Sequence, residues 1–447
     1  MKKIIVSLII LIILGIGISF SINVPNDKQD NVNKNKTLKG QVIYVDDNQI
    51  TLQDVNNIIY TIGNSFVVNV GDKLEITYDK ELNKNKEVQD IEIINYEITK
   101  ENINYKDWHD KGIFNEYYIK AYQTLETLSL DEKISQLLLV RVPKDDASEI
   151  LEQYSFGGYL FFERDFKNKT KDEVTSMIRS FQNVSKVPLL TAIDEEGGKV
   201  SRISSNKNLV SEPFKSPQEL YKLGGFDLIK NDTINKSKIL RELGLNLNLA
   251  PVVDVATDET SYIYPRTLGE NYLLTGTYAK TVINASKGTG VSYTLKHFPG
   301  YGNNSDTHLD TSIDERDYLD LLKEDLLPFK EGINAGSEAV MISHNVVSAI
   351  DENNPASLSP SVHNLLRNEL NFTGIIITDD LYMGAISKIE NATLKALLAG
   401  NDLIITTDYE MSINEIKDAL ENEIIDEDLI NKTALRIIAW KCYKGLL

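Results

Sequence analysis

The sequence predicts an α/β chain whose larger part is a (β/α)8 TIM-type barrel. A small all-β module and an N-terminal membrane-targeting helix precede it. Three observations carry that reading. From Ser129 onward, nearly continuous apolar runs alternate with amphipathic helical segments, as a parallel sheet covered by helices requires. There are eight such runs, the number that closes a barrel. No G-x-G-x-x-G follows the first of them, as an open dinucleotide-binding sheet would have.

In chain order, residues 1–22 read as a signal peptide or signal anchor. Lys2 and Lys3 precede an uncharged, mostly apolar run from Ile4 to Phe20. That run exceeds a signal-peptide core of about 7–15 residues and reaches the lower end of a membrane span, about 17–25. Ser19-Phe20-Ser21 offers a small-x-small cleavage site, so a cleaved signal and an uncleaved anchor both stand open. With the lysines inside, the body of the protein lies outside, on the outer face of the membrane or secreted to the wall. Residues 23–39 are a polar linker. Residues 40–98 form the all-β module, with strands expected at Gln41–Val45, Ile50–Gln53, Ile58–Ile62, Phe66–Val70, Leu74–Tyr78 and Val88–Tyr96. A barrel is one form this module could take. Residues 99–127 are a second linker with helical character, and 128–447 the barrel domain.

The barrel domain opens on Ser129-Leu130-Asp131-Glu132, a capping box. Strands are expected at Leu137–Val142, Gly158–Phe162, Leu189–Ile193, Leu247–Val252, Ser292–Lys296, Ala339–Ser343, Ile375–Thr378 and Asp402–Thr406. Helical patterns cover Asp172–Val184, Asp227–Leu243, Leu273–Lys287, Glu315–Ala335 and Ser361–Leu370. Barrel active sites sit at the C-terminal ends of the strands. Those ends carry Asp194-Glu195-Glu196-Gly197-Gly198, Asp254, Lys296-His297, His344, Asp379-Asp380 and Asp408.

Composition narrows the chemistry. A net charge of −19 over 447 residues argues against nucleic acid as a partner. Cys442, the lone cysteine, lies in an apolar C-terminal run and reads as a buried structural thiol. No Cys/His cluster has zinc spacing, and neither metal nor cofactor is expected. Two of the five histidines fall in Lys296-His297-Phe298-Pro299-Gly300-Tyr301-Gly302-Asn303-Asn304-Ser305-Asp306-Thr307-His308. If the segment is extended, Asp306 and His308 point to the same side, so a carboxylate can hold one imidazole nitrogen and leave the other for proton transfer. His109 and His363 lie away from the strand ends and are expected at the surface.

Several carboxylates and a paired histidine in one mouth suit glycosidic hydrolysis, which needs a carboxylate at the anomeric carbon and a proton donor to the leaving oxygen. Asp379 is the expected nucleophile, and His308, oriented by Asp306, the expected acid/base. Asp379 and Asp380 cannot both be ionised and fully buried, so one faces the barrel axis while the other is bonded elsewhere. Asp194, Arg202, Arg266, Lys296 and His297 are expected to grip sugar hydroxyls or an amide. His344 either lines the pocket or is a satisfied strand-end histidine.

Ile193-Asp194-Glu195-Glu196-Gly197-Gly198-Lys199-Val200-Ser201-Arg202 resembles the sugar-binding segment of family 3 glycoside hydrolases. Lys296–Gly302 with Asp306-Thr307-His308 resembles the signature of that family's β-N-acetylglucosaminidase (NagZ-type) branch. Ile377-Thr378-Asp379-Asp380-Leu381-Tyr382-Met383 is similar to its nucleophile segment. Leu247–Asp254, Tyr264-Pro265-Arg266-Thr267-Leu268-Gly269 and Asn354–Ser359 also fit, so the resemblance runs from about Leu128 to the C-terminus. It implies a retaining mechanism through a glycosyl-enzyme intermediate, with no metal, and the residue roles given above. There are three departures. Tyr301 stands where the family often has a second His. Asn303 replaces a common Asp in a loop about one residue shorter. Leu309-Asp310-Thr311-Ser312 replaces Leu-x-x-Pro. Both ends of the Asp306–His308 dyad remain, and an active enzyme is expected.

Joined to the leader, the resemblance implies an exported β-N-acetylhexosaminidase removing non-reducing terminal GlcNAc from GlcNAc-MurNAc wall fragments. An uncleaved leader would make the membrane a second partner. A family 3 phosphorylase is a finer alternative. A β-glucosidase ranks lower, because that branch generally lacks Asp-x-His on this loop and carries a further C-terminal domain. A catalytically weak cell-wall binding protein would have lost Asp379 or His308, and neither is lost.

Overall fold

A computed structural model describes residues 36–45, 49–56, 58–63, 68, 72–78, 82, 88–89, 93–99, 111–256, 258–304, 306–307 and 312–447. The leader at 1–22, His109 and His308 lie outside them, as does most of the strand expected at Phe66–Val70. Among the described residues no helix is long and apolar enough to cross a membrane. The chain divides into two compact units, the change falling after Lys100.

The first unit is a six-stranded sheet: β1 (Lys36–Val45), β2 (Gln49–Asp54), β3 (Ile59–Gly63), β4 (Lys73–Tyr78), β5 (Val88–Gln89) and β6 (Ile93–Thr99). Its spatial order is β5-β3-β2-β1-β4-β6. Alternation puts Leu74, Ile76 and Tyr78 on one buried face with Val42, Ile50, Leu52 and Ile62. The single strand expected over Val88–Tyr96 is instead two strands on opposite edges. β5 pairs parallel with β3, and β6 antiparallel with β4. Apolar residues recur across both, and alternation does not record which neighbour a strand pairs with. No pairing among the described residues joins β5 to β6.

The second unit holds β7 (Leu138–Arg141), β8 (Gly158–Phe161), β9 (Leu190–Ile193), β10 (Leu247–Asn248), β11 (Ser292–Phe298), β12 (Ile313–Asp314), β13 (Ala339–Ile342), β14 (Val346–Val347), β15 (Ile375–Thr378) and β16 (Ile404–Thr406). Eight of these lie side by side in the order β15-β13-β11-β10-β9-β8-β7-β16, all parallel. A bridge between Ile377 and Leu403 joins the last edges, with Thr378 N–H on Leu403 O at 3.1 Å, so the barrel is nearly closed. All eight predicted strands are present. β10 is shorter than expected because Pro251, with no N–H to give, interrupts the ladder before it resumes at Val252. The remaining pair, β12 and β14, ties the segment after β11 to the segment after β13.

Helices cover the strands much as the periodicity predicts. The box at Ser129 is closed both ways: Glu132 N–H donates to Ser129 Oγ (3.3 Å) and Ser129 N–H to Glu132 Oε2 (2.7 Å). The helix expected at Asp227–Leu243 begins earlier, at Pro217, behind a second box from Ser216 and Glu219, and breaks at Gly224-Gly225. Periodicity sees only the part after that break. His363 is not at the surface. It is 3% exposed in the short helix Pro360–Asn364, its Nδ1 2.8 Å from Ser359 O, because a helix residue away from a strand end can still face the core.

The C-terminal helix Glu427–Tyr443 buries Trp440, Lys441 and Cys442. Cys442 is the buried thiol expected, pushed up to about 11 by burial. Its neighbour Lys441 donates to Gln136 Oε1 at 2.8 Å, and burial pushes its ammonium down to about 7. An unfolded lysine titrates near 10.4. Between those values the unfolded chain binds the extra proton, so stability rises with pH there. Lys441→Met should therefore stabilise the fold at pH 7 by about 2 kcal/mol, after the loss of the Gln136 bond is deducted. Urea titrations should show that advantage gone by pH 10.

Candidate active site

Asp194, Glu195 and Glu196 follow β9 and take three different environments. Glu195 is buried as a structural acceptor, taking Arg202 N–H (2.8 Å), Ile203 N–H (2.9 Å) and Ser204 Oγ–H (3.0 Å). The turn that permits this passes through Gly197 and Gly198, both at positive φ. A Cβ on Gly197 would lie 2.2 Å from Lys215 O, so only glycine fits. Glu196 points the other way and accepts from Arg266 Nε (3.0 Å) and Nη2 (2.8 Å), with Lys296 Nζ at 2.7 Å. Lys296 also donates to Asp194 Oδ1 (2.8 Å), and Arg202 Nη2 lies 3.6 Å from Asp194 Oδ2.

Lys296 and His297 are adjacent on β11, yet both enter this network. The β11–β13 register shifts between Leu295 and Phe298, the kind of irregularity that re-aims side chains beside active sites. His297 is held from two sides. Its Nδ1 lies 2.7 Å from Asp254 Oδ2 and its Nε2 3.4 Å from Arg266 Nη2. A carboxylate only accepts, so Nδ1 carries a proton towards Asp254. Asp254 Oδ1 also accepts Tyr301 N–H at 2.7 Å.

The charges set one another's states. Burial would raise Glu196, but Arg266 and Lys296 hold its carboxyl well below the usual range. Burial would lower the Lys296 ammonium, but Asp194 and Glu196 keep it raised. Half-buried Asp379, directly after β15, is pushed up by burial. The charges of His344, His297 and Lys296 and the Asp380 N–H (2.9 Å) outweigh that, so it is lowered. Asp380 is pushed the other way, up to about 6, by its own burial and by the Asp379 carboxylate. The adjacent acids are thus shifted in opposite directions. His344 is fully buried behind them. Its Nε2 donates to Asp380 O (3.0 Å) and its Nδ1 lies 2.7 Å from Ser357 Oγ.

The loop after β11 brings Asp306 near this group, close enough that it and Asp379 both act on the hydroxyls of Tyr262 and Tyr301. His308 lies outside the described residues, and with it the pairing to Asp306. Its neighbour Thr307 is fixed tightly. Thr307 N–H donates to Tyr301 Oη (2.8 Å), Thr307 Oγ1 lies 2.7 Å from the same oxygen, and Thr307 O accepts Ala385 N–H (3.2 Å). Tyr301, standing where the family often has histidine, therefore anchors the loop, and Asn303 accepts Asp258 N–H at 3.1 Å.

The structure brings Asp194, Arg202, Arg266, Lys296 and His297 into one ion network, with Asp379 within its electrostatic reach. Sequence reasoning gave no role to Glu196, Asp254, Tyr262 or Thr307. Glu196 and Asp254 stood at strand ends and carried a signal. Tyr262 and Thr307 are reached only through three-dimensional contacts.

Residues 129–440 match the family described as "Glycosyl hydrolase family 3 N terminal domain". The chain belongs to glycosyl hydrolase family 3. This family 3 hydrolase is 30% identical over 300 residues, 64% of this chain and 85% of the relative, to a β-hexosaminidase of Actinobacillus pleuropneumoniae serotype 3 (strain JL03). It is 29% identical over 333 residues, 70% of this chain and 83% of the relative, to the β-hexosaminidase LpqI of Mycobacterium tuberculosis (strain ATCC 25618 / H37Rv). Among solved structures it is similar to a family 3 β-N-acetylglucosaminidase from Paenibacillus sp. str. FPU-7. The TM-score is 0.67 and the identity 30%, over 71% of this chain and 63% of that one. The chain is a glycoside hydrolase of the β-hexosaminidase type.

Glu196→Gln removes the charge that two buried cations share, and should cost about 3 kcal/mol of unfolding free energy in urea. Tyr301→Phe should lower kcat on the order of tenfold through misplacement of the loop, while the midpoint of thermal unfolding falls only slightly. Steady-state kinetics beside a melt separates the two.

Proposed function

We propose that the chain is an exo-acting, retaining β-N-acetylglucosaminidase that removes non-reducing terminal GlcNAc from peptidoglycan fragments. The observation that carries this reading is the contrast at the end of β15, with Asp379 held anionic by surrounding cations and Asp380 pushed towards neutrality. An anionic carboxylate facing a sugar pocket is what attack on an anomeric carbon requires. Asp379 would displace the leaving oxygen as His308 protonates it, forming a glycosyl-enzyme bond. His308 would then take a proton from water as that water breaks the bond. Asp306 would orient His308, and Asp194, Arg202, Arg266, Lys296 and His297 would hold the terminal sugar. His344 would act behind them, fixing the backbone of Asp380. The names of the similar proteins support the sugar. The apolar leader supports export, and an exported enzyme of this type meets wall fragments.

Aryl β-GlcNAc and aryl β-glucoside assays test the reaction. The purified protein should favour the first, and Asp379→Ala should lose ~10⁴-fold or more. His308→Ala should lose about 10²–10⁴-fold on poor leaving groups and far less on good ones. Unchanged muropeptides beside cleavage of glucosides alone would sink the substrate assignment.

A further inference from the structure

Two loops at the mouth share a small apolar cluster of their own, apart from the barrel core. Val252, Ala256 and Ile263 of the loop after β10 are buried with Tyr301 of the loop after β11, and Tyr262 packs against them. Tyr262 is the member of this cluster that also reaches the ion network. Its hydroxyl accepts Arg266 Nη1–H at 3.2 Å, with the guanidinium carbon 5.7 Å from its ring centroid. Its ring lies 6.2 Å from that of Tyr301, tilted by 46°. One half-buried side chain thus meets the arginine assigned to the terminal sugar and, on its other flank, the anchor of the acid/base loop. Burial raises the phenol, Arg266 opposes this, and Asp306, Asp379 and Glu196 add to it, so the hydroxyl stands neutral among the acids of the site.

Each contact has a consequence of its own. Glu196 grips Arg266 through Nε and Nη2, along one edge of the guanidinium. That fork can still tip about the line joining the two groups, and a bond to Nη1, off that line, stops it. Nη1 carries two N–H groups, so holding one aims the second. On the other flank, Tyr301 fixes Thr307 through its hydroxyl, and Thr307 stands between Asp306 and His308. Without a ring beside it, Tyr301 can shift into the space left and carry Thr307 with it. Hydroxyl and ring therefore bear on different parts of the reaction.

We propose that Tyr262 is a positioning residue with two separable tasks: its hydroxyl aims Arg266 at the terminal sugar, and its ring seats the loop that carries Asp306 and His308. This assignment rests on the function proposed above.

The test compares the full-length wild type with Tyr262→Phe, which removes the hydroxyl alone, and Tyr262→Leu, which removes the ring as well. Competitive inhibition by free GlcNAc reads the grip on the terminal sugar, since GlcNAc has no leaving group. The dependence of log kcat/KM on leaving-group pKa, across a series of aryl β-GlcNAc substrates, reads proton donation. Tyr262→Phe should weaken GlcNAc about 3- to 10-fold and keep the slope of the wild type. Tyr262→Leu should weaken GlcNAc at least as much and steepen the slope, losing about 10-fold more on the poorest leaving groups than on the best. A variant that is merely less stable has fewer folded molecules, which lowers kcat on every substrate alike and moves neither reading. An unchanged GlcNAc constant in Tyr262→Phe, a steeper slope in that variant, or an unchanged slope in Tyr262→Leu overturns the assignment. Should Tyr262→Leu fail to fold, the two readings in Tyr262→Phe decide. A wild type that releases no GlcNAc from any substrate overturns the underlying function, whereas an active wild type with any of those three results overturns the Tyr262 assignment alone.

Discussion

The buried carboxylate of Glu196 is the point on which the mouth of this barrel depends. It faces two cations from different segments, Arg266 of the short turn Tyr264–Arg266 at 2.8 Å and Lys296 of β11 at 2.7 Å, and none of the three would be tolerated there alone. Their mutual neutralisation keeps Lys296 charged and lets it reach Asp194, which in turn engages Arg202. Arg266 carries the link on to His297, and Asp254 closes it from behind. A set of groups that solvent would otherwise have to separate is thus held dry and oriented, which is the preorganisation that sugar recognition and charge development both require.

Adjacent Asp379 and Asp380 show how one backbone step divides two identical side chains. Both leave water, and burial penalises both. The difference lies in what each faces: Asp379 looks towards His344, His297 and Lys296, whereas Asp380 has only a backbone N–H and a more distant Arg141 against the repulsion of its neighbour. The ionisation of one helps to suppress ionisation of the other. His344 contributes from behind, donating to the carbonyl between them and the rest of the segment and so fixing where both acids stand.

Much of this was legible in the sequence. Eight continuous apolar runs read as eight parallel strands because each is buried on both sides, and strand ends read as functional because barrel geometry collects them on one face. Asp194, Lys296, His297 and Asp379 stood out for that reason. What was missed follows from the same logic. Val88–Tyr96 looked like one strand because alternation does not record which neighbour a strand pairs with. His363 looked peripheral because its burial depends on helix packing and not on any motif. Glu196 was quoted within its segment but given no role, since alternation cannot say which of three consecutive acids turns inward once glycines bend the chain. Tyr262 was invisible, being one aromatic residue in a loop between two motifs.

The carbonyl of Thr307 accepts the N–H of Ala385, so the loop that leads into His308 is pinned to the segment that follows Asp379. The two halves of the proposed chemistry are therefore not separate modules bolted onto a scaffold. Grafting the loop after β11 from a relative, in order to change which leaving groups are accepted, would import a main chain built to rest against a different neighbour. A working chimera has to carry both segments across together, with Tyr301 counted as belonging to the transplanted unit.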